Sequence, residues 1–349
     1  IYFFLLMTIL VTGSAGFIGF HLCRKLIKLN KKIIGLDNFN SYYDVKLKET
    51  RNSILLKEAE YKKSIFDIQR VDICNEENLK KVFEKFKPEY VVHLAAQPGV
   101  RYSLENPGSY INNNLVGFGN VLDNCKQYKI KHLIFASSSA VYGGSLNTPF
   151  KEIQNVDHPV NLYAATKKSN ELMAHVYSHL YKIPSTGLRL FTVYGPWGRP
   201  DMAPMIFTKA IFANKAIEVF NNGLMSRDFT YIDDVIEIIV RIIGNPAVEN
   251  NKFNKLNPTA DSSWAPHKIF NIGNKSPVKL TDFIKILEDE IGIKAIKIMK
   301  PMQPGDVVTT YADISSIEEA INYTPKTNLK KGIENFISWY KKYYSIPIK

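Results

Sequence analysis

Cysteine is scarce in this sequence: Cys23, Cys74 and Cys125 are three in 349 residues, without paired spacing. An odd, scattered set excludes a disulfide framework and points to a reducing compartment, the cytoplasm. Long hydrophobic runs are missing as well. The longest, at the N-terminus, ends after eleven residues, against the ~20 that a membrane helix needs. It has no basic flank and no small-residue cleavage site, so it does not read as a secretory leader. A first strand is expected from Met7 or Thr8, with residues 1–6 adding nothing to the fold. Basic runs are absent although the formal charge is +12. The lysines are scattered, which leaves no footprint for nucleic acid and only a mildly positive background suited to an anionic small molecule. His175 and His179 have a zinc-like spacing, but no Glu follows His175 and no third ligand is evident; no metal is expected. Neither nucleic acid nor a membrane is expected as a partner.

What is present is an alternation. Short apolar stretches at 8–12, 33–36, 90–95, 132–137 and 186–191 are separated by helical periodicity at 17–29, 111–127 and 161–182. This predicts an α/β fold, a doubly wound parallel sheet of the Rossmann type. The alternation decays after residue 191, where Pro and Gly cluster at 195–204. The expected organisation is a dinucleotide-binding unit over 7–191, rejoined at about 232–250, and a smaller α/β unit from 192–231 and 268–349. Residues 251–267 read as an exposed loop.

Gly13, Gly16 and Gly19 fall between the first strand and the first helix. That spacing lets the backbone turn tightly against a pyrophosphate, below the N–H donors of a helix terminus, with Phe17 and Ile18 in the same turn. Asp37 ends the second apolar run, eighteen residues after Gly19, and Asn38 follows it. A carboxylate there accepts hydrogen bonds from ribose hydroxyls and repels a 2′-phosphate, so the expected cofactor is NAD rather than NADP. Asp72 ends a third run, Val71-Asp72-Ile73; it is a candidate for the adenine edge or else a helix cap. Tyr163 and Lys167 lie at i and i+4, on one helical face. A phenol titrates near pH ~10 and is a poor base at neutrality. A neighbouring ammonium and a cationic nicotinamide favour the phenolate, each pKa unit being worth ~1.4 kcal/mol. Lys167 can also hold the nicotinamide ribose. The 132–137 strand runs into Ser138 and Ser139, and side chains at the C-terminal end of a parallel strand face the ligand crevice.

The Gly-x-x-Gly-x-x-Gly turn, the serines and the Tyr163/Lys167 pair together resemble the extended short-chain dehydrogenase/reductase superfamily. Leu94, Ala95 and Ala96 are similar to its fourth-strand segment lining the cofactor. More narrowly, residues 137–143, 162–168, 192–202, 227–231 and 303–307 resemble the UDP-glucuronate 4-epimerases of the NAD-dependent epimerase/dehydratase family, a likeness running from about residue 8 to about 345. The resemblance implies C4 epimerisation of a UDP-sugar, UDP-glucuronate to UDP-galacturonate, through a transient 4-keto sugar. It implies Ser138 on the sugar O4, Ser139 beside it, Tyr163 as acid/base and Lys167 as its modulator. Thr192 falls on the substrate, Arg227 on its pyrophosphate, and Asp306 in the C-terminal substrate-binding string. Arg199 and then Arg101 are candidates for the substrate anion, because a guanidinium fork suits carboxylate or phosphate. A homodimer through helices 111–127 and 161–182 is implied too. Two positions depart from the family pattern: Ala140 stands where a hydroxyl residue is common, and Asn113 where Ser is common. Ala140 removes a donor to a substrate carboxylate. Related decarboxylases and dehydratases carry acids in this segment, so their absence favours simple epimerisation. The rival readings are epimerisation of a UDP-N-acetylhexosamine or UDP-hexose, UDP-glucuronate decarboxylation, and a silent NAD-binding scaffold.

Overall fold

Buried β-branched and aliphatic residues make the first strand, β1 (Thr8–Thr12), with Ile9 and Val11 in one apolar cluster and Leu10 in the other. Side chains alternate in a strand, so a run that is apolar throughout must be covered on both faces. The structure is a computed structural model that describes residues 7–346; the expectation for residues 1–6 lies outside the described residues. After β1 come β2 (Lys32–Leu36), β3 (Phe66–Gln69), β4 (Tyr90–His93), β5 (His132–Ser138) and β6 (Ser185–Leu190). β7 (Thr192–Tyr194), β8 (Ile217–Phe220) and β9 (Ser226–Tyr231) then leave the sheet, and β10 (His267–Ile272) returns to it. The result is a seven-stranded parallel sheet in the order β10-β6-β5-β4-β1-β2-β3. Strand order reverses between β1 and β4, and a crevice opens there at the strands' C-terminal ends. β11 (Pro277–Lys279) pairs with β9, and β12 (Lys297–Lys300) with β8, in two small sheets.

Three expectations need correction. The smaller unit does not resume at 268: β10 pairs residue by residue with β6, because Ile269, Phe270 and Ile272 form one more short run covered on both faces. The third strand is β3, at 66–69, since its pairing stops where β2 stops; Val71-Asp72-Ile73 is the loop leaving it. Residues 251–260 are largely exposed, but Asp261, Ser263 and Ala265 are buried. There the Trp264 indole donates to His179 Nδ1 at 2.9 Å, and Ser263 Oγ meets His175 Nε2 at 2.9 Å, so both histidines have loop partners. The helix at 111–127 opens as a π-helical turn, Ile111–Val116, before Gly117–Gln127. Helix Ile232–Ile243 packs against helix Phe17–Lys28 under the sheet. One apolar cluster runs from Val11 and Ile134 through Ile239 to Phe283 and Phe336, so both units share a core.

Candidate active site

The crevice at the strand-order reversal holds a cleft of about 400 Å³. Its floor is the turn after β1. Gly13 has φ +72°, and a Cβ on it would stand 2.8 Å from Ala95 N; a Cβ on Gly19 would stand 2.1 Å from Gly13 O. Only glycine permits that backbone approach, which leaves a cradle beneath the first helix. Gly16, Phe17, Ile18, Ile73, Leu94, Ala95 and Ala96 line the same space. Asp37, just past β2, is buried; it accepts from Ala15 N at 3.0 Å and from Phe39 N at 2.9 Å. Burial pushes its carboxyl up, and those two amides with the charges of Lys48 and Arg51 pull it back. Asn38 lines the cleft and donates to Asp72 at 2.8 Å. Asp72 also accepts from Cys74 N at 2.8 Å and faces a polar annex shared with Asn38, Tyr42 and Asn113 rather than the main cleft. The cap of the next helix is Asn75.

At the other end, β5 delivers Ser138, whose Oγ accepts from Ala140 N at 3.2 Å as the chain turns. Helix Leu162–Tyr181 begins at the cleft because Asn161 caps it, its Oδ1 accepting from Ala164 N at 2.8 Å. Tyr163 therefore sits in the first turn, within hydrogen-bonding reach of Ser138. Lys167 is buried and donates to Ala136 O at 2.9 Å; burial lowers its pKa to about 8. Burial pushes the Tyr163 phenol above the ordinary tyrosine range, while the Ser138 hydroxyl and the charge of Arg199 pull it back. Lys167, the expected source of that charge, donates to the Ala136 carbonyl. Arg199 is the positive charge that acts on the phenol.

A buried network backs the end of β5. Ser137 Oγ donates to Glu171 at 2.6 Å, and Arg189 clasps Glu171 with two bonds of 2.9 Å. Arg189 also reaches Tyr142 at 3.1 Å, whose hydroxyl donates to Asn271 Oδ1 on β10 at 2.6 Å. Burial would raise the Glu171 carboxyl, but Arg189 outweighs it and holds it low. Breaking one partner of such a pair costs ~3–5 kcal/mol, so the segment carrying Ser138 is fixed from behind.

Thr192, Ser139, Ala140, Asn113, Arg199, Arg227 and Asp306 all line the cleft. Arg199 does not present an open fork. Its Nε and Nη2 meet Asp201 at 3.0 and 2.6 Å, a carboxylate two residues away, and Asp201 also accepts from the Tyr42 hydroxyl at 3.1 Å. Arg227 Nη1 donates to Ser226 O at 2.8 Å and Val308 O at 3.0 Å. Arg101 is not in the lining. It is half exposed on the rim, over the Phe220 ring, with Nη2 3.3 Å from Asp306 Oδ2. Tyr42, Lys48 and Asn161 also line the cleft without having been anticipated. Asn before a helical run is a cap signal that marks Asn161; Tyr42 and Lys48 sit in no comparable pattern.

A glycine cradle at the switch point of a parallel sheet, with Ser138, Tyr163 and Lys167 gathered beside it, defines a dinucleotide-dependent enzyme of the doubly wound class. The chain belongs to the NAD dependent epimerase/dehydratase family, whose model matches residues 9–257. It is 51% identical to Protein CapI of Staphylococcus aureus, over 97% of this chain and 99% of that one. It is 44% identical to a probable UDP-glucuronate 4-epimerase of Rhizobium meliloti, over 97% and 98%. Its fold matches a crystal structure of the UDP-glucuronic acid 4-epimerase from Bacillus cereus in complex with UDP-glucuronic acid and NAD. That match has a TM-score of 0.84 and 34% identity, covering 97% of this chain and 100% of the other. No helix among the described residues is long and apolar enough to cross a membrane.

Proposed function

We propose that the protein is an NAD-dependent 4-epimerase of UDP-sugars, interconverting UDP-glucuronate and UDP-galacturonate. The observation that carries this is the meeting of Ser138, Tyr163 and Lys167 with the glycine cradle and Arg227 in one cleft. The cradle, where a Cβ would strike main chain, and the adjacent Asp37 carboxylate fit NAD. Gly13, Gly16, Phe17, Ile18 and Gly19 would hold its pyrophosphate, and Asp37 and Asn38 its adenosine ribose, with Asp72 fixing Asn38. Ile73, Leu94, Ala95 and Ala96 would wall the groove, and Lys167 would hold the nicotinamide ribose. NAD held there would supply reversible hydride transfer at C4 of the sugar. Tyr163 takes the O4 proton and gives it back, Ser138 hydrogen-bonds O4, and Arg227 anchors the pyrophosphate while the sugar presents its other face. The 4-keto hexuronate is a β-keto acid that loses CO₂ readily. Ala140 offers no acid to assist proton movement, which supports release of the epimer.

One observation favours a second reading. Asp201 closes the fork of Arg199 and Ala140 supplies no hydroxyl, which suits a neutral UDP-hexose or UDP-N-acetylhexosamine. The test is NMR of products from a panel of UDP-sugars. UDP-glucuronate should give UDP-galacturonate with little UDP-pentose, and CO₂ release matching substrate loss would move the enzyme to the decarboxylases. Arg199→Ala should hurt UDP-glucuronate more than UDP-glucose by roughly 10- to 150-fold, the worth of a charge-assisted contact of ~1.5–3 kcal/mol. An equal loss on both assigns Arg199 to the shared nucleotide diphosphate.

In this reading 7–191, 232–250 and β10 form the cofactor unit, and 192–231 with the segment after β10 binds the UDP-sugar. The protein works as a cytoplasmic homodimer. Leu172, Val176 and Leu180, four residues apart on helix Leu162–Tyr181, are exposed, as are Ile111 and Val116, which supports pairing through this face.

A further inference from the structure

Arg51, in helix Val45–Lys62, is fully buried and pairs with no carboxylate among the described residues. Its partners lie on two segments far apart in sequence. Nη1 donates to Ala15 O at 2.9 Å, inside the glycine turn, and to the Tyr43 hydroxyl at 2.8 Å. Nη2 donates to Trp197 O at 2.6 Å and lies 3.4 Å from Gly198 O. One planar group thus spans the floor of the cofactor cradle and the loop that leads into Arg199. Ala15 is held on both sides, its amide by Asp37 and its carbonyl by Arg51. The loop at the far end is a constrained one. Trp197 has φ +63° and Gly195 φ +144°, and a non-glycine residue keeps a left-handed conformation only where its surroundings impose it. The Trp197 ring lies against Phe20, Trp339 and Tyr343. His21 Nε2 donates to Pro196 O at 2.9 Å, burial having lowered its pKa to about 3 so that the ring is neutral.

We infer that Arg51 is a positioning residue that couples the two halves of the cleft. It sets the 195–199 loop, and with it Arg199, by reference to the glycine turn. Dinucleotide bound on the turn and nucleotide sugar bound against the loop then strengthen each other's binding. Such coupling is reciprocal, and ordering one end of the bridge spares the second ligand part of the ordering it would otherwise impose. Lysine cannot substitute, because a single ammonium cannot present parallel donors to carbonyls on both sides. The inference rests on the reading of the cleft as an NAD and UDP-sugar site.

The test uses NAD-loaded protein carrying Tyr163→Phe, which blocks turnover, with and without Arg51→Lys. UDP-glucuronate is titrated in by calorimetry. Arg51→Lys should weaken its binding at least tenfold and lower the NAD that copurifies. In the Tyr163 enzyme, Arg51→Lys should raise KM by a larger factor than it lowers kcat. Equal affinities in the two NAD-loaded proteins overturn the coupling. If the protein with Arg51 intact binds no UDP-glucuronate, the functional reading fails instead. A second measurement needs no change at Arg51. Hydrogen–deuterium exchange of the NAD-loaded protein should slow at 13–19 as well as at 195–201 when UDP-glucuronate is added, and protection confined to 195–201 also overturns the proposal.

Discussion

Tyr163 and Lys167 stand one helical turn apart, and burial drives each toward its own neutral form: the phenol is pushed up and the ammonium down to about 8. Neither shift by itself makes a base at neutral pH, so the work falls to the positive charge that Tyr163 faces. Tyr163→Phe, which removes one oxygen, should cut turnover ~10²- to 10⁴-fold and leave NAD bound; activity within threefold of wild type in the NMR assay sinks the assignment. Lys167 has a separate signature. Its folded pKa of about 8 lies below the ordinary lysine value of 10.5, so between those pH values the folded protein holds fewer protons than the unfolded chain. Stability due to this group therefore rises with pH across that window, by at most ~1.4 kcal/mol per pH unit. Thermal melts of wild type and Lys167→Met from pH 7 to 10 should show the wild type gaining on the variant; parallel curves refute the buried ammonium.

Helix Leu162–Tyr181 has to begin at one residue for its first turn to meet Ser138, and Asn161 decides where. Asn161→Ala removes an N-cap worth ~0.5–2 kcal/mol. It also frees Gly305, to which Asn161 Nδ2 donates at 3.3 Å. The variant should lose that much stability in denaturant titrations and more than tenfold in kcat; a stability loss without a kcat loss separates the cap from the chemistry. Elements differ in how far the sequence announces them. β1, β2, β4, β5 and β6 were legible because strands covered on both faces are continuous apolar runs. β10 was not placed, since three strands and a loop separate it from β6, and pairing at that distance leaves no local trace. Helix Val45–Lys62 left no periodic stripe, because it buries Lys48, Arg51 and Asn52 beside Leu47 and Leu55. Polar groups facing inward erase the pattern, and Arg51 went unread for that reason. The gathering of Ser138, Tyr163 and Lys167 in one cleft was legible through the strings that carry them. The closure of Arg199 by Asp201 was not, since the string shows both residues but not their rotamers.

At the scale of the molecule, the exposed apolar positions of helix Leu162–Tyr181 concern association. Val176→Glu should shift a dimer to monomer in sedimentation velocity, and an unchanged species places the subunit contact elsewhere. The chain path concerns something else. It leaves the large sheet after β6, returns as helix Ile232–Ile243 and as β10, and leaves again. No single cut divides the protein into a cofactor half and a sugar half. A fragment ending at residue 191 would keep every strand up to β6 yet expose the edge of β6 that β10 covers. It would also bare the apolar face against which helix Ile232–Ile243 lies. Open edges of that kind recruit other chains, so such a fragment should precipitate on expression. Exchange of sugar preference between relatives is accordingly a matter of grafting the short segments at 139–142 and 195–202. Recombination of whole halves would cut through the core that both units share, so a change of specificity in this architecture is confined to short segments of a stitched scaffold.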